Sequence, residues 1–316
     1  MKIILSLILI LGTLPAFAKK ITLPFMGRNF TLVIPERSGS EKKPLLVILH
    51  GCKQSSEVIL EGTGLDQAAL KNDFFLLSPE QSILHNIDHC WNWFQASNQQ
   101  RSKSNEMAQI IGAIDMIATT RKIDRQKIYL AGMSAGGVMA HNMSVCYPDY
   151  FSGVAIHAGL SYKVAESMYE AQTVLTSSKL KSPNYLGKKA YDCSRSVTER
   201  KLKRMILIHG AEDKRVDPYH SELISKTNEV HMDYLDDGVR NNSLKASVKE
   251  VNQRFPNGYE AIRTDRIYPT VNFTERMYLM KGLAHAWGGG KPISANFEPL
   301  APSSNELILN FLQLNR

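Results

Sequence analysis

Beyond residue 18 the sequence has no apolar run long enough to cross a bilayer, so a membrane-embedded mature chain is not expected. It has no C-x-x-C pair, and so no sign of a zinc-binding cysteine cluster. It has no Pro/Ser/Gly-rich linker, no internal repeat and no low-complexity tract, so nothing divides it into domains. Aromatics make up only 8% of the chain, and they do not interleave with the basic residues at base-stacking spacing. The excess of 38 basic over 30 acidic residues is scattered over Lys42–Lys43, Lys188–Lys189 and the cluster Lys201, Lys203 and Arg204. That pattern describes a solvated basic surface and argues against a nucleic-acid partner.

What remains is ordinary globular composition, 43% hydrophobic and 22% charged over 316 residues. The first eighteen residues, MKIILSLILILGTLPAFA, stand apart. An early lysine, an apolar run from Ile3 to Leu14, a helix-breaking Pro15 and an A-x-A ending predict an export signal cleaved after Ala18. The chain is therefore expected to be secreted or periplasmic, with 19–316 as a single domain. The four cysteines, Cys52, Cys90, Cys146 and Cys193, are an even number in an exported chain, which predicts two disulfides with three connectivities open.

Residues 20–34 read as a hairpin turning at GRN. PLLVILH (44–50), FFLLSP (74–79), KIYLAG (127–132), SGVAIHAG (152–159) and MILIHG (205–210) are short continuous apolar runs, the mark of strands buried on both faces. EAIRTDRIY (260–268) and ERMYLMKG (275–282) add two strands. Between them lie helical patterns at 65–73, 105–122, 136–146 and 305–314, of which 105–122 is the longest, with Met107, Ile110, Ile111, Ile114 and Ile117 on one face. Strands alternating with helices predict an α/β fold with a mostly parallel central sheet flanked by helices. The stretches near 160–200 and 229–258 break the rhythm and read as insertions over the sheet edge.

The stretch Gly132-Met133-Ser134-Ala135-Gly136 falls between a strand and a helix. A serine in such a turn is lifted above the sheet, and its neighbours must be small. The competing reading is a glycine-rich helix start with Ser134 as its N-cap. A serine nucleophile needs a base and a group to orient the base. Downstream, LIHGAEDKRVDP offers Asp213, with Glu212 and Asp217 as competitors, and KGLAHAWGGG offers His285 in a glycine-rich loop after a strand. His50, His157 and His209, at strand ends, read equally well as structural. Two amides would have to face the developing oxyanion: that of Ala135, and that of Cys52 in ILHGCKQ.

LLVILHGCKQ, SPEQ with CWNWF, KIYLAGMSAGGVMA, YPDYFSGVAIHAGL, LIHGAEDKRVDP and GLAHAWGGG occur in the order seen in poly(3-hydroxybutyrate) depolymerase-like esterases. The chain resembles that group over roughly residues 44–290, and through it the feruloyl and acetylxylan esterases. The resemblance implies an α/β-hydrolase fold and a serine esterase acting on 3-hydroxyacid oligo- or polyesters. Ser134 would be the nucleophile, His285 the base, Asp213 the acid, and Cys52 would lie at the oxyanion hole. No metal or organic cofactor is implied. The resemblance pairs Cys52 with Cys90, leaving Cys146 with Cys193. Trp91, Trp93 and Trp287 are candidates to line the ester groove, with core packing as the alternative for CWNWF. Two rival functions stand beside this one: a carbohydrate esterase acting on acylated polysaccharide, and a non-catalytic binder on a degenerate hydrolase scaffold.

Overall fold

A computed structural model describes residues 19–36 and 41–315. The expected export signal, 1–18, lies outside them. The hairpin forms as β1 (Lys19–Phe25) and β2 (Arg28–Ile34), antiparallel to each other. The apolar runs form β3 (Lys43–Leu49), β4 (Phe75–Pro79), β5 (Ile123–Met133), β6 (Gly153–His157) and β7 (Arg204–Gly210). With β8 (Ser247–Arg254), β9 (Glu260–Tyr268) and β10 (Phe273–Met280) they make one sheet in the order β1-β2-β4-β3-β5-β6-β7-β10-β9-β8. The six central strands, β4-β3-β5-β6-β7-β10, run parallel to one another; both edges are antiparallel.

The continuous apolar run of β3 is explained by helices on both faces. Leu45, Val47 and Leu49 pack on one face with Ile110 and Ile114 of α3 (Glu106–Thr120) and Val138 of α4 (Ala135–Cys146). Leu46 and Ile48 point the other way, into a second core with Ile59 and Leu60 of α1 (Ser56–Thr63), Leu65 of α2 (Leu65–Asn72) and Ile308 and Leu312 of α8 (Ser304–Leu312). A period of two with both faces buried leaves no polar position along the strand. This is the α/β-hydrolase architecture. Among the described residues no helix is long and apolar enough to cross a membrane.

The two irregular stretches resolve differently. Residues 160–200 carry α5 (Met168–Thr173) and α6 (Pro183–Ser194), opened by the side-chain caps Ser167 and Ser182. Residues 229–258 are not laid over the sheet. They complete α7 (Tyr219–Asp237) and supply the edge strand β8. At 19 residues α7 is longer than α3, with 15. Its buried face carries His220, Ser221, Ser225, Thr227, Asn228, His231 and Asp233, so apolar spacing does not reveal it.

Because β3, β5, β7 and β10 run parallel, their carboxyl ends share one edge of the sheet, where α/β folds hold their ligands. The loops leaving that edge contain Cys52, Ser134, Asp213 and His285. The disulfide Cys52–Cys90 ties the first of these loops to the CWNWF segment, and Cys146–Cys193 ties the end of α4 to α6. Peptide mapping of the unreduced mature protein should recover these two pairs, and replacing Cys146 and Cys193 together by serine should cost about 2–5 kcal/mol in denaturant unfolding. A Cys52–Cys146 cross-link would contradict the loop arrangement.

Candidate active site

Ser134 adopts φ 55° and ψ −124°, a conformation unfavourable to any residue with a Cβ, and its side chain makes no capping hydrogen bond to α4. The N-cap reading therefore fails. The turn persists because its surroundings leave it no alternative. A Cβ on Gly132 would collide with the Gly136 carbonyl, and one on Gly136 with the carbonyls of Leu49 and His50. The Ser134 amide donates to the His157 carbonyl of β6 at 2.9 Å, and its carbonyl accepts from Val138 at 3.0 Å. Since the Ser134 carbonyl points into the helix, the Ala135 N–H of the same trans peptide points out of its N-terminus.

The loop after β3 is built just as tightly. The His50 ring hydrogen-bonds the Gly51 carbonyl through Nδ1 at 2.8 Å and accepts the Gln81 amide on Nε2 at 3.0 Å. The His50 carbonyl takes the Trp91 indole N–H at 3.0 Å. With the Gly51 carbonyl turned toward His50, the Cys52 N–H of that peptide points the opposite way. Gln54 closes the turn, its Oε1 accepting the Gly51 amide at 2.8 Å. Among the described residues neither the Cys52 nor the Ala135 amide has a hydrogen-bond acceptor, and both residues line one cavity of about 630 Å³.

Ser134 and His285 line the same cavity. His285 Nδ1 bonds Asp213 Oδ2 at 2.6 Å, so the imidazole carries its proton on that side and keeps Nε2 free. Among the described residues no hydrogen bond joins the Ser134 hydroxyl to the imidazole. Asp213 is held from several directions: Oδ1 accepts the amides of Arg215 and Val216 at 2.8 and 2.9 Å, and His209 Nε2 approaches Oδ2 at 3.3 Å. Burial alone would raise its pKa; the hydrogen bonds from His209 and His285 outweigh burial and hold the carboxyl well below the usual carboxylate range. The loops of Asp213 and His285 are laced by Ala211 N to Met280 O at 2.8 Å and Glu212 N to Leu283 O at 3.0 Å. Of the competing acids, Glu212 is exposed and Asp217 caps the Tyr219 amide at 2.9 Å.

The three tryptophans separate. Trp93 lines the cavity beside Phe94. Trp91 and Trp287, both 0% exposed, do not line it and belong to the core. Trp91 lies under the loop after β3, with the Arg28 guanidinium 4.9 Å from its ring. Trp287 stacks on His157 at 4.9 Å and donates to Asn305 Oδ1 at 3.0 Å. Sequence reasoning gave no role to Gln54, and none to His209 beyond a structural one. The only written trace of the His209–Asp213 contact is its four-residue spacing.

The family model described as esterase PHB depolymerase matches residues 28–230. Poly(3-hydroxyalkanoate) depolymerase C of Paucimonas lemoignei is 32% identical over 189 residues, 60% of this chain and 45% of the relative. Feruloyl esterase B of Thermothelomyces thermophilus is 25% identical over 185 residues, 57% of this chain and 62% of the relative. The matches thus span less than two thirds of these curated relatives. Among solved structures, an acetyl xylan esterase from Aspergillus awamori superposes with a TM-score of 0.72 at 14% identity, covering 94% of this chain and 99% of that one. That likeness is one of fold.

Two outcomes follow from this geometry. Gln54→Met keeps the side chain's volume but releases the Gly51 amide; if the Cys52 amide receives an oxyanion, its displacement should lower kcat for a soluble ester about tenfold or more with KM little changed. Asp213 has a depressed pKa in the folded protein, so its stabilising contribution is complete above the unfolded-state value near 4 and is lost as pH falls through and below it. The Tm difference between the parent and Asp213→Asn should be full at about pH 6 and close on acidification below about pH 4; a gap that widens toward acid would reverse the assigned shift.

Proposed function

The chain belongs to the PHB depolymerase esterase family, and from that premise we propose that it is an exported serine esterase cleaving 3-hydroxyacid oligo- or polyesters. In this reading 1–18 is the cleaved signal, 19–316 is one catalytic domain, and the protein works in the periplasm or outside the cell. Two disulfides suit an oxidising compartment.

Ser134 attacks the ester carbonyl, and His285 Nε2 takes its proton and then delivers it to the leaving alcohol. Asp213 fixes the imidazole tautomer and favours its charged form. The Cys52 and Ala135 amides receive the oxyanion, and water repeats the cycle to release the acid. The observation that carries this reading is the Asp213–His285 bond of 2.6 Å in a loop facing the cavity that also holds Ser134 and two acceptor-free amides. Trp93, Phe94, Leu160 and Leu175 give that cavity apolar walls suited to an aliphatic ester chain.

The feruloyl esterase relative supports a second reading, a carbohydrate esterase removing feruloyl or acetyl groups. A panel of hydroxybutyrate oligomers, methyl ferulate and acetylated xylan separates the two by kcat/KM. Ser134→Ala should cut turnover of the best substrate by about a thousandfold or more and abolish labelling by a fluorophosphonate, with the thermal transition retained. Parent protein that fails to label would favour a non-catalytic binder. Asp213→Asn should lose about 10⁴-fold in kcat, far more than Glu212→Gln or Asp217→Asn; a reversed ranking would reassign the acid.

A further inference from the structure

We propose that Arg215 is a specificity-determining cation that binds a carboxylate on the leaving-alcohol half of the ester, so that the preferred substrates are short oligoesters ending in a free carboxylate. This rests on the hydroxyacid esterase reading above.

Besides His285, the cavity is lined by three charged side chains, Lys53, Asp88 and Arg215. Lys53 and Asp88 belong to one side: the Lys53 amide donates to the Asp88 carbonyl at 2.7 Å, next to the Cys52–Cys90 bridge. Their formal charges, one positive and one negative, sum to zero on that side. Arg215 stands on the imidazole side, two residues after Asp213, with its own amide bonded to Asp213 Oδ1 at 2.8 Å. Among the described residues it forms no ion pair with any carboxylate. Its side chain is nevertheless held, because one guanidinium nitrogen donates to Asn296 Oδ1 at 3.2 Å. Asn296 and Ser294 also line the cavity, giving this edge further polar groups against otherwise apolar walls. An anchored, acid-free guanidinium offers the planar fork that suits a carboxylate.

The side on which it stands determines which half of the substrate it meets. His285 protonates the departing alkoxide, so the alcohol half leaves on the imidazole side of the serine. When the last ester bond of a 3-hydroxyacid oligomer is cut, the acyl carbon–oxygen bond breaks, Ser134 keeps the acyl group, and the alkoxide takes the proton from His285. The departing molecule is the terminal 3-hydroxyacid, whose carboxylate is separated from the hydroxyl-bearing carbon by one methylene. The same ester within a long polymer, or a feruloyl or acetyl ester of a sugar, has no charge at that position. Arg215 therefore favours chain ends and soluble oligomers over chain interiors.

The test compares two substrates of the mature enzyme, the linear dimer of 3-hydroxybutyric acid and its methyl ester, as the ratio of their kcat/KM values. The ratio is insensitive to a general loss of folded enzyme. At low ionic strength the parent should prefer the free acid about fivefold or more, and salt should erode the preference because the site is exposed. Arg215→Gln should bring the ratio close to one, whereas Lys214→Gln, exposed and outside the cavity, should keep it. A parent ratio of one, or a preference that survives Arg215→Gln or is lost in Lys53→Gln instead, overturns the inference while leaving the esterase reading intact. Failure to cleave either dimer, with activity on methyl ferulate or acetylated xylan, removes the hydroxyacid reading and this inference with it.

Discussion

The site depends on how closely two backbone segments approach each other: the turn that carries Ser134 and the end of β3. At Gly136 the gap to the Leu49 and His50 carbonyls is too small for a side chain, and Gly132 is crowded in turn by Gly136. This contact keeps a non-glycine residue at φ 55° without any compensating bond from its own side chain. It also fixes the distance between the two acceptor-free amides, since Cys52 follows directly from the β3 end and Ala135 from the turn. A looser packing would let Ser134 relax into an ordinary helix start and would part the amides together, so the hydroxyl and the two amides stand or fall as one arrangement.

Behind that contact lies a buried polar frame. The Glu106 carboxylate, at the start of α3, accepts from Gln81 Nε2 at 2.7 Å, the Asn92 amide at 2.9 Å and Asn92 Nδ2 at 2.8 Å, and Arg28 adds charge at 3.6 Å. Gln81 in turn reaches His50, which orients the Gly51 peptide. The segment CWNWF is folded onto this frame, and for that reason Trp91 faces the core while Trp93 faces the cavity. Burial pushes the pKa of His50 down to about 4 and that of His157 to about 3. These rings stay neutral near pH 7 and serve as fixed donors, acceptors or stacking surfaces. His285, by contrast, lines the cavity and turns its Nδ1 to the Asp213 carboxylate.

The parts of this architecture that could be read from the sequence are those written in local chemistry. Continuous apolar runs gave β3 to β7, and glycine spacing around a serine gave the turn. The order of acid before histidine pointed to Asp213 and His285. The parts that were hidden depend on which polar groups fold on top of one another. Helix α7 presents Ser225 and Asn228 inward because they bond the buried Glu275, at distances that include 2.7 Å from Asn228, so its inner face looks like a surface. Trp91 and Trp287 could not be told from groove residues, because burial of an indole depends on a distant acceptor, His50 O in one case and Asn305 in the other. Gln54 was visible as a letter in the motif, but its bond to Gly51 exists only once the turn has formed.

The loop after β7 joins two proposed roles that could have been separate. Its carboxylate, Asp213, sets the imidazole. Two residues on, Arg215 donates its backbone amide to that carboxylate and directs its side chain to the cavity edge. Ordering the loop for one purpose therefore orders it for the other. His209, hydrogen-bonded to Ser221 at 2.8 Å and to the Val216 carbonyl at 3.0 Å, pins the same loop to the start of α7. A carboxylate kept ionised beneath the imidazole would by itself repel an anionic leaving group. In the proposed reaction a cation two residues away, held toward the cavity by Asn296, would offset that repulsion on the departing hydroxyacid. One short stretch of chain thus places both the carboxylate bonded to the imidazole and the cation proposed to receive the product.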